Sequence, residues 1–362
     1  MKIKYLFFGV GRTGGTRVIF EFANHLIMRG HEVTITAIRE KHDWFPLKAN
    51  VEYVPTIFRN IQSSNSNVFD LFRDVNDIIS LAKGLKKSDI VVATWCFTAF
   101  STYFAKKFPD EKIFYHMQHY EPLFFKNPFY KFFSGLTYRL NLKLIANSTW
   151  LKNKIMVKYG KSAYLLNPAI DHTTFKPNEI KKTVFDKKIK EKKKVLCLGK
   201  TLFWKGLGDV FEAMKIVNKK MDNVHLVLYG SEKDIKSPVP YTYVFKPTDE
   251  ELADLYRACD TYICPSWYES FPLPPLEAMA CGTPVVTTRC GTEDYAIHNE
   301  NALVVMPRSI NEIAEAIIKV LTDEDLQEKL RKNGIETAKK FTWDRAVDNL
   351  EKIFLEALEE RG

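Results

Sequence analysis

Short apolar runs alternate with segments of helical periodicity along the whole chain. The runs have strand length and are apolar on both faces, which is typical of strands buried in a parallel sheet. The helical segments between them indicate βαβ units. In the first half, the predicted strands are residues 3–8, 32–38, 90–94, 112–115, 142–146 and 163–166, and a predicted helix over 16–29 ends at Gly30.

The same alternation begins again after Lys194. Two successive α/β halves predict two Rossmann-like domains, which we place at residues 1–170 and 195–342, joined by a lysine-rich linker at 171–194. Ligands of such domains bind beyond the carboxyl ends of the strands. In the second half the predicted strands are 195–199, 224–229, 261–264 and 284–287, and the predicted helices are 206–220, 249–258, 273–280, 310–321, 325–339 and 343–358.

The overall composition is that of an ordinary globular protein, but the distribution of charge along the chain gives information about possible partners. Of the 362 residues, 46% are hydrophobic and 27% are charged, which excludes a disordered or fibrous chain. The net charge is uneven: residues 1–180 carry 25 basic and 14 acidic residues, whereas residues 195–362 carry 20 basic and 28 acidic residues. A basic first half suits an anionic membrane surface or a phosphate-bearing substrate, and no nucleic-acid-binding pattern accompanies it.

The expected cellular location rests on three sequence patterns: membrane-spanning segments, a signal peptide and paired cysteines. No apolar stretch is long enough for a transmembrane helix, and the first residues do not have the pattern of a signal peptide. Six scattered cysteines, without a Cys-x-x-Cys pair, fit reduced core residues. We therefore expect a cytoplasmic protein, with peripheral attachment to the inner face of the membrane as an option.

A glycine-rich loop joins the first predicted strand to the first predicted helix. Its glycines include Gly9, Gly11 and Gly14. Such a loop lets a phosphate group approach the backbone and the positive end of a helix. The spacing also fits the dinucleotide fingerprint Gly-x-Gly-x-x-Gly, with Glu40 as a ribose partner. A phosphate or sugar pocket, a dinucleotide site and a structural turn are the three interpretations.

A second group of polar residues follows strands of the second half. Lys200 and Lys205 come just after the first of these strands, where both can point at one anion. Glu269 follows the strand at 261–264, and Glu277 lies on the next predicted helix. Lysines and helix amides suit phosphate, and the two carboxylates suit sugar hydroxyls. Ordinary solvated side chains are the alternative interpretation.

The segment Glu269-Ser-Phe-Pro-Leu-Pro-Pro-Leu-Glu277 resembles the Glu-x7-Glu motif of retaining glycosyltransferases of family four, a part of the glycosyl transferases group 1. The resemblance implies an α/β chain with the GT-B fold, in which two Rossmann-like domains face each other across a cleft. It also allows the final helix, residues 343–362, to pack back on the first domain. Further motifs stand in the family's order: Gly14-Gly15, Lys200, Lys205-Gly206, Leu226-Val-Leu-Tyr-Gly230, Glu251 through Ser266, and Gly282-Thr-Pro-Val-Val.

The resemblance implies a retaining hexosyltransferase that moves a sugar from a nucleoside-diphosphate sugar to a glycan or lipid-linked acceptor. No cofactor and no metal are expected besides this co-substrate. The chain's Asp-x-Asp sequence, Asp323-Glu-Asp325, lies at a predicted helix start, where we interpret Asp as an N-cap. A dinucleotide-dependent oxidoreductase using the glycine loop and a non-catalytic nucleotide-sugar-binding subunit are the alternatives.

Residue roles in the second half are also implied by the resemblance. Lys200 and Lys205 would hold the donor's diphosphate, Glu269 the sugar hydroxyls and Glu277 the ribose. Pro272 occupies a position that is often glycine in the family, and proline has no N–H to offer a ligand. Backbone groups near Ser270, Phe271 and Leu273 would meet phosphate or sugar.

In the first half, the resemblance implies that Gly14 and Gly15 line the cleft. The family's histidine of this half has three candidates here, at the end of a predicted strand: His116, Gln118 and His119. With Glu269 and Lys205, His119 completes the expected catalytic set, while His116 and Gln118 are candidates for contact with the acceptor. A structural histidine is the alternative at each of the two positions.

The segment from Phe124 to Lys143 combines seven aromatic and four basic residues with no acidic residue. Aromatic and basic residues together are typical of a membrane interface or of contact with an anionic lipid carrier. A buried helix with ordinary surface lysines is the alternative interpretation.

Overall fold

The computed structural model describes residues 1–39, 42–56, 67–105, 112–180, 185 and 187–360. Glu40, the ribose partner in the dinucleotide interpretation, lies outside them. The chain forms two compact units. The first consists of Met1–Pro168 together with Trp343–Gly362, and the second of Ala169–Thr342.

The first unit is built on a parallel sheet whose described strands follow the order β3-β2-β1-β4-β5-β6-β7. Its central strands are buried on both faces, as their apolar sequences predict. The strands are β1 Lys2–Gly9, β2 Glu32–Arg39, β3 Asn50–Tyr53, β4 Ile90–Ala93, β5 Lys112–Met117, β6 Lys143–Ala146 and β7 Ala163–Leu165. The helices that join them are α1 Gly14–Met28, α2 Asn67–Gly84, α3 Cys96–Phe104, α4 Pro128–Leu136 and α5 Thr149–Tyr159.

The second unit repeats this plan with a parallel sheet of order β10-β9-β8-β11-β12-β13 in the described chain. Apolar clusters cover both faces of that sheet. Its strands are β8 Lys193–Leu198, β9 Val224–Gly230, β10 Tyr241–Phe245, β11 Thr261–Cys264, β12 Val285–Thr288 and β13 Leu303–Val305. Its helices are α6 Lys187–Lys190, α7 Leu207–Lys220, α8 Asp249–Ala258, α9 Leu273–Ala280, α10 Ile310–Thr322 and α11 Glu324–Ala338.

The segment predicted as a linker, residues 171–194, is grouped with the second unit, which begins at Ala169. Phe175 and Phe185 explain this, because both side chains are buried in that unit's core. The ring of Phe175 lies 6.1 Å from that of Tyr256. The lysines of the segment suggested a solvated linker, but two aromatic anchors within it fix the described part to the second unit.

The last helix, α12 (Trp343–Glu359), packs on α1 of the first unit. At the end of α1, Arg29 donates hydrogen bonds to Asp348 at 2.5 Å and to Glu351 at 2.6 Å. The buried Phe354 packs its ring 5.0 Å from that of Phe114 on β5. The C-terminal end of the chain therefore completes the core of the unit that contains the N-terminal end.

Replacing Phe354 by Ala should destabilise the first unit by about 3–5 kcal/mol, because a fully buried ring leaves a cavity. Thermal unfolding should show a lower Tm for the transition of this unit. The neighbouring Leu355→Ala is the matched control, since that side chain is 49% exposed and its removal should change stability by less than about 0.5 kcal/mol. Equal losses in the two variants would contradict the packing described for α12.

Candidate functional site

The candidate site of the second unit lies where β8 and β11 end. The two strands are hydrogen-bonded neighbours and run in parallel, so the loops that follow them share one edge of the sheet. The loop after β8 carries Lys200 and Lys205, and the loop after β11 carries Ser266 and Glu269. The structure thus brings Lys205 and Glu269, which are 64 residues apart in sequence, into one place.

Lys205 and Glu269 form a direct ion pair. The Lys205 ammonium donates a hydrogen bond to Oε1 of Glu269, and the Ser266 hydroxyl donates to the same oxygen at 3.0 Å. Burial disfavours the charge on Lys205, but the Glu269 carboxylate outweighs that effect and holds the pKa of Lys205 above its ordinary value. Since Glu269 itself is 9% exposed, each charge stabilises the other where water has little access.

Two glycines allow the loops of this pair to come together. Gly206 has φ +69°, and a Cβ there would lie 2.3 Å from the carbonyl oxygen of Pro265. Gly291 has φ +83°, and a Cβ there would lie 2.5 Å from the carbonyl oxygen of Glu269. Any other residue would be strained in its backbone and would push against the loop after β11. These close contacts fix the backbone on both sides of Glu269.

Lys200 lies at the same edge but has its own acidic neighbour. Its ammonium is 3.2 Å from Glu232, which also accepts hydrogen bonds from the Thr201 N–H at 2.9 Å and hydroxyl at 2.6 Å. Burial would raise the pKa of Glu232, but these bonds and the lysine lower it. The positive charge of Lys200 is therefore already paired with the Glu232 carboxylate, which a bound phosphate would share.

Glu277, on α9, is held by a chain of buried tyrosines that sequence reasoning missed. The Tyr256 hydroxyl donates to Oε2 of Glu277 at 3.1 Å, and the hydroxyl oxygens of Tyr229 and Tyr256 are 3.1 Å apart. Burial and nearby negative charge place the pKa of Tyr256 well above its ordinary value, so it remains a hydrogen-bond donor. Tyr229 lies in the apolar run of β9, but Tyr256 lies on the strongly charged helix α8, where the sequence gives no comparable signal.

The N-terminus of α9 has few amide groups to offer. The helix starts at Leu273 with Pro272 as its N-cap, and the next two residues, Pro274 and Pro275, have no N–H. The Leu273 N–H is consequently the single free amide in the first turn of this helix. Ser270 and Phe271, expected near the ligand, are both buried, and the Phe271 ring packs 5.2 Å from Tyr295.

In the first unit, the glycine loop and Gln118 lie together beyond β1 and β5. α1 begins at Gly14, where Thr13 caps the helix by accepting the Thr16 N–H at 3.1 Å. The space beside Gly14 is open, and a Cβ at Gly15 would lie 3.6 Å from the Gln118 side chain. A small ligand group could therefore approach the backbone at Gly14.

The two histidines beside Gln118 differ in environment. His116 is fully buried in β5, packs 5.7 Å from the Phe22 ring, and has a pKa lowered to about 3 by burial. It is a neutral core residue, and its position corrects the expectation that it contacts an acceptor. His119 is 9% exposed and lies 4.4 Å from the Phe124 ring and 6.2 Å from the Trp150 ring.

Glu121 is a buried carboxyl that the sequence did not single out. It accepts the N–H of Cys96 at 2.7 Å, at the start of α3, and its own N–H donates to the Tyr138 hydroxyl at 3.1 Å. Burial raises the pKa of Glu121 to about 7. Glu121 therefore stays protonated to a higher pH than an exposed glutamate does.

Two further sequence predictions concern metal and membrane. The Asp323 side chain accepts the Leu326 N–H at 2.9 Å and caps α11, so the N-cap interpretation is confirmed. Within the described ranges, no group of three or more His, Cys, Asp or Glu side chains is placed to hold a metal ion. None of the helices in the described part of the chain has the length and apolar composition needed to cross a bilayer.

Comparison with known proteins relates part of this chain to a protein family. Residues 179–337 match the family described as glycosyl transferases group 1, which confirms the group, though not family four, for that part of the chain. A D-inositol 3-phosphate glycosyltransferase of Corynebacterium jeikeium is 39% identical over 108 residues, which are 30% of this chain and 26% of that relative. The match thus spans about a quarter of the relative's length.

Solved structures match the whole chain. Sucrose-phosphate synthase from Thermosynechococcus elongatus gives a TM-score of 0.81 at 16% identity, covering 99% of this chain and all of that one. HepE of Anabaena, solved with UDP-glucose, gives a TM-score of 0.74 at 16% identity, and the match covers all of this chain and all of HepE. At such identity the likeness shows the fold alone, and the expected GT-B class with two Rossmann-like domains is confirmed.

Replacing Glu121 by Gln should change how stability depends on pH. An unfolded glutamate ionises near pH 4.5, whereas folded Glu121 stays protonated until about pH 7, so the wild type loses stability as pH rises through this window. The variant has no such loss. Its stability relative to wild type should rise by up to about 3 kcal/mol between about pH 5 and about pH 8 in urea unfolding.

The exposed Glu32→Gln is the control and should show no comparable change. A stability difference between Glu121→Gln and wild type that stays constant across this pH range would show that Glu121 is ionised in the folded protein.

Proposed function

We propose that this chain, whose residues 179–337 match the glycosyl transferases group 1, is a retaining, metal-independent glycosyltransferase. It moves a hexose from a nucleoside-diphosphate sugar to a glycan or lipid-linked acceptor in the cytoplasm. The observation that carries the proposal is the ion pair of the half-buried Lys205 with the buried Glu269 at the carboxyl edge of the second sheet. One partner suits a phosphate and the other a sugar hydroxyl, and the two groups are in contact.

Departure of the nucleoside diphosphate places negative charge on its β-phosphate, and Lys205 is the cation positioned to stabilise it. Oriented groups of this kind are each worth about 2.7–4 kcal/mol of barrier when judged by removal. Because α9 supplies a single amide in its first turn, positive side chains have to supply most of the stabilisation. Lys200 adds a second charge, weakened by its contact with Glu232.

On the sugar side, Glu269 accepts hydrogen bonds from donor hydroxyls while it keeps its contact with Lys205. Glu277 accepts the ribose hydroxyls, and Tyr256 acts as a positioning residue that orients its carboxylate. The acceptor attacks from the face that the nucleotide leaves, which retains the configuration at the sugar carbon. In the first unit, Gly14, Gly15, Gln118 and His119 are the residues proposed to meet substrate.

Support for a nucleotide-sugar donor comes from a structural neighbour. HepE of Anabaena was solved in complex with UDP-glucose and with UDP. A uridine nucleotide is accordingly the first donor to test. The oxidoreductase alternative leaves Lys205, Glu269 and Glu277 without a role, and we do not adopt it.

Replacing Glu269 by Ala should lower the rate of sugar transfer at least about a hundredfold, because a group aimed at the reacting sugar is lost. Binding of the nucleoside diphosphate should remain within a few-fold of wild type, since Lys205 and Glu277 are retained. Radiolabelled sugar transfer and calorimetric titration would measure the two effects separately.

The control is Glu212→Ala, which removes an exposed glutamate paired with Lys215 at 2.7 Å on α7. It should transfer sugar at the wild-type rate. Near-normal transfer by Glu269→Ala would exclude the role assigned to Glu269.

Thermal unfolding with UDP, GDP, ADP, TDP or NAD, each with and without EDTA, should identify the donor's base. A nucleotide at 100 times its Kd adds about 2.7 kcal/mol of stability, which gives a clear rise in Tm. We expect one nucleoside diphosphate to stabilise the protein equally in EDTA, because lysines rather than a metal hold its phosphates. A rise with NAD alone would favour the oxidoreductase, and loss of the effect in EDTA would contradict metal independence.

A further inference from the structure

Three helices of the first unit expose large apolar side chains on the outside of the protein. Phe72 on α2 is 67% exposed and Phe132 on α4 is 64% exposed, although both are large enough to anchor a core. We call the whole set the aromatic face: Phe72, Val75 and Ile79 of α2, Tyr103 and Phe104 of α3, and Phe129, Phe132 and Phe133 of α4.

Within this face, ring contacts join α3 to α4, and α2 packs beside α3. The buried ring of Phe100 lies 6.2 Å from Phe104 and 6.1 Å from Phe133, and Phe129 and Phe133 are 4.5 Å apart. The Tyr130 hydroxyl of α4 donates to Asp74 of α2 at 3.2 Å. Right-handed crossovers in this strand order place α2, α3 and α4 on one side of the sheet. The aromatic face therefore lies on one side of this sheet.

α2 shows that this surface is not a chance exposure. The helix turns Asp74 and Asp77 inward, where Asp77 is fully buried against Arg39 and accepts the Thr56 hydroxyl at 2.6 Å. Phe72, Val75 and Ile79 follow a helical spacing and form an apolar stripe on the outside. This arrangement is the reverse of an ordinary surface helix. An apolar surface of this extent is typical of a binding face.

The basic residues near the aromatic face indicate the kind of partner that would suit it. Residues 122–170 contain eight basic residues and no acidic residue. Lys126, Lys131 and Arg139 are exposed on or beside α4, and Lys158 is exposed on α5. α5 also exposes Val157, which is 88% accessible to solvent. Exposed rings bordered by lysines suit the boundary between acyl chains and anionic headgroups.

We propose that the aromatic face docks on an anionic lipid bilayer and holds the first unit against it. Phenylalanine rings enter the boundary between headgroups and acyl chains, while the lysines beside them meet the phosphates. The inference stands on the first unit alone and does not require the activity assigned to the second. A membrane on this face would bring a lipid-linked acceptor to the protein.

Vesicle co-sedimentation of the full chain tests the proposal. We expect binding to vesicles of equal parts phosphatidylcholine and phosphatidylglycerol, much weaker binding to phosphatidylcholine alone, and release as salt is raised. Lys126→Gln and Lys131→Gln should each weaken binding about fivefold. Phe132→Ser and Phe104→Ser should weaken it at least as much, because each removes a ring from the lipid boundary.

Ile297→Ser is the matched control, since Ile297 is 59% exposed but belongs to the second unit. It should bind vesicles like the wild type. Thermal unfolding should show the same Tm for all these variants as for the wild type, because the changed side chains are exposed.

Three results would overturn the proposal. The first is equal binding to both kinds of vesicle, and the second is binding that the substitutions in the aromatic face leave unchanged. The third is a wild-type dimer in sedimentation velocity that Phe132→Ser converts to a monomer, with no vesicle binding, because the face would then pair with a second copy. Since no readout depends on sugar transfer, failure here is distinguishable from failure of the proposed activity.

Discussion

A charged carboxylate buried at the edge of a parallel sheet needs groups that compensate its charge, and in the second unit Lys205 supplies the cation for Glu269. The two loops that carry them must meet, so glycine is needed at Gly206 and Gly291, where the backbones pass within contact distance. Ser266 satisfies the same carboxylate oxygen. The loop geometry at this edge thus follows from the need to neutralise one buried charge, and the pair is positioned before any ligand arrives.

The composition of α9 determines how an anion would be stabilised here. A helix N-terminus normally offers several amides and a positive dipole end, but prolines at 272, 274 and 275 remove most of the amides while leaving the dipole. Lysines have to compensate, and each has a carboxylate beside it: Lys205 contacts Glu269, and the Lys200 ammonium lies 3.2 Å from Glu232. Tyr256 contributes to the site indirectly, because its hydroxyl donates a hydrogen bond that orients the Glu277 carboxylate. The site relies on side-chain charge more than on backbone donors.

The central strands of both sheets could be predicted from sequence, because burial on both faces leaves a continuous apolar run. The strands that were missed, β3, β10 and β13, all lie at sheet edges in the described chain. β10 is half-buried along most of its length, so its sequence lacks the apolar run of a central strand. An edge strand is stabilised largely by the strand it pairs with, which a local pattern does not show. The expectation that His116 contacts an acceptor was wrong for a similar reason: the sequence identified its strand but not the burial of its side chain.

α2 shows most clearly what periodicity leaves undecided. Its sequence has apolar residues around much of its circumference, with aspartates at 74 and 77 that ordinarily mark the solvent side. In the fold those aspartates face inward, where the half-buried Arg39 at the end of β2 pairs with both and Arg73 lies 3.6 Å from Asp74. The apolar residues are consequently left outside, where α3 and α4 continue them. Pairing of these aspartates with Arg39 and Arg73 therefore favours the orientation of α2 that leaves its apolar stripe outside, as part of the aromatic face.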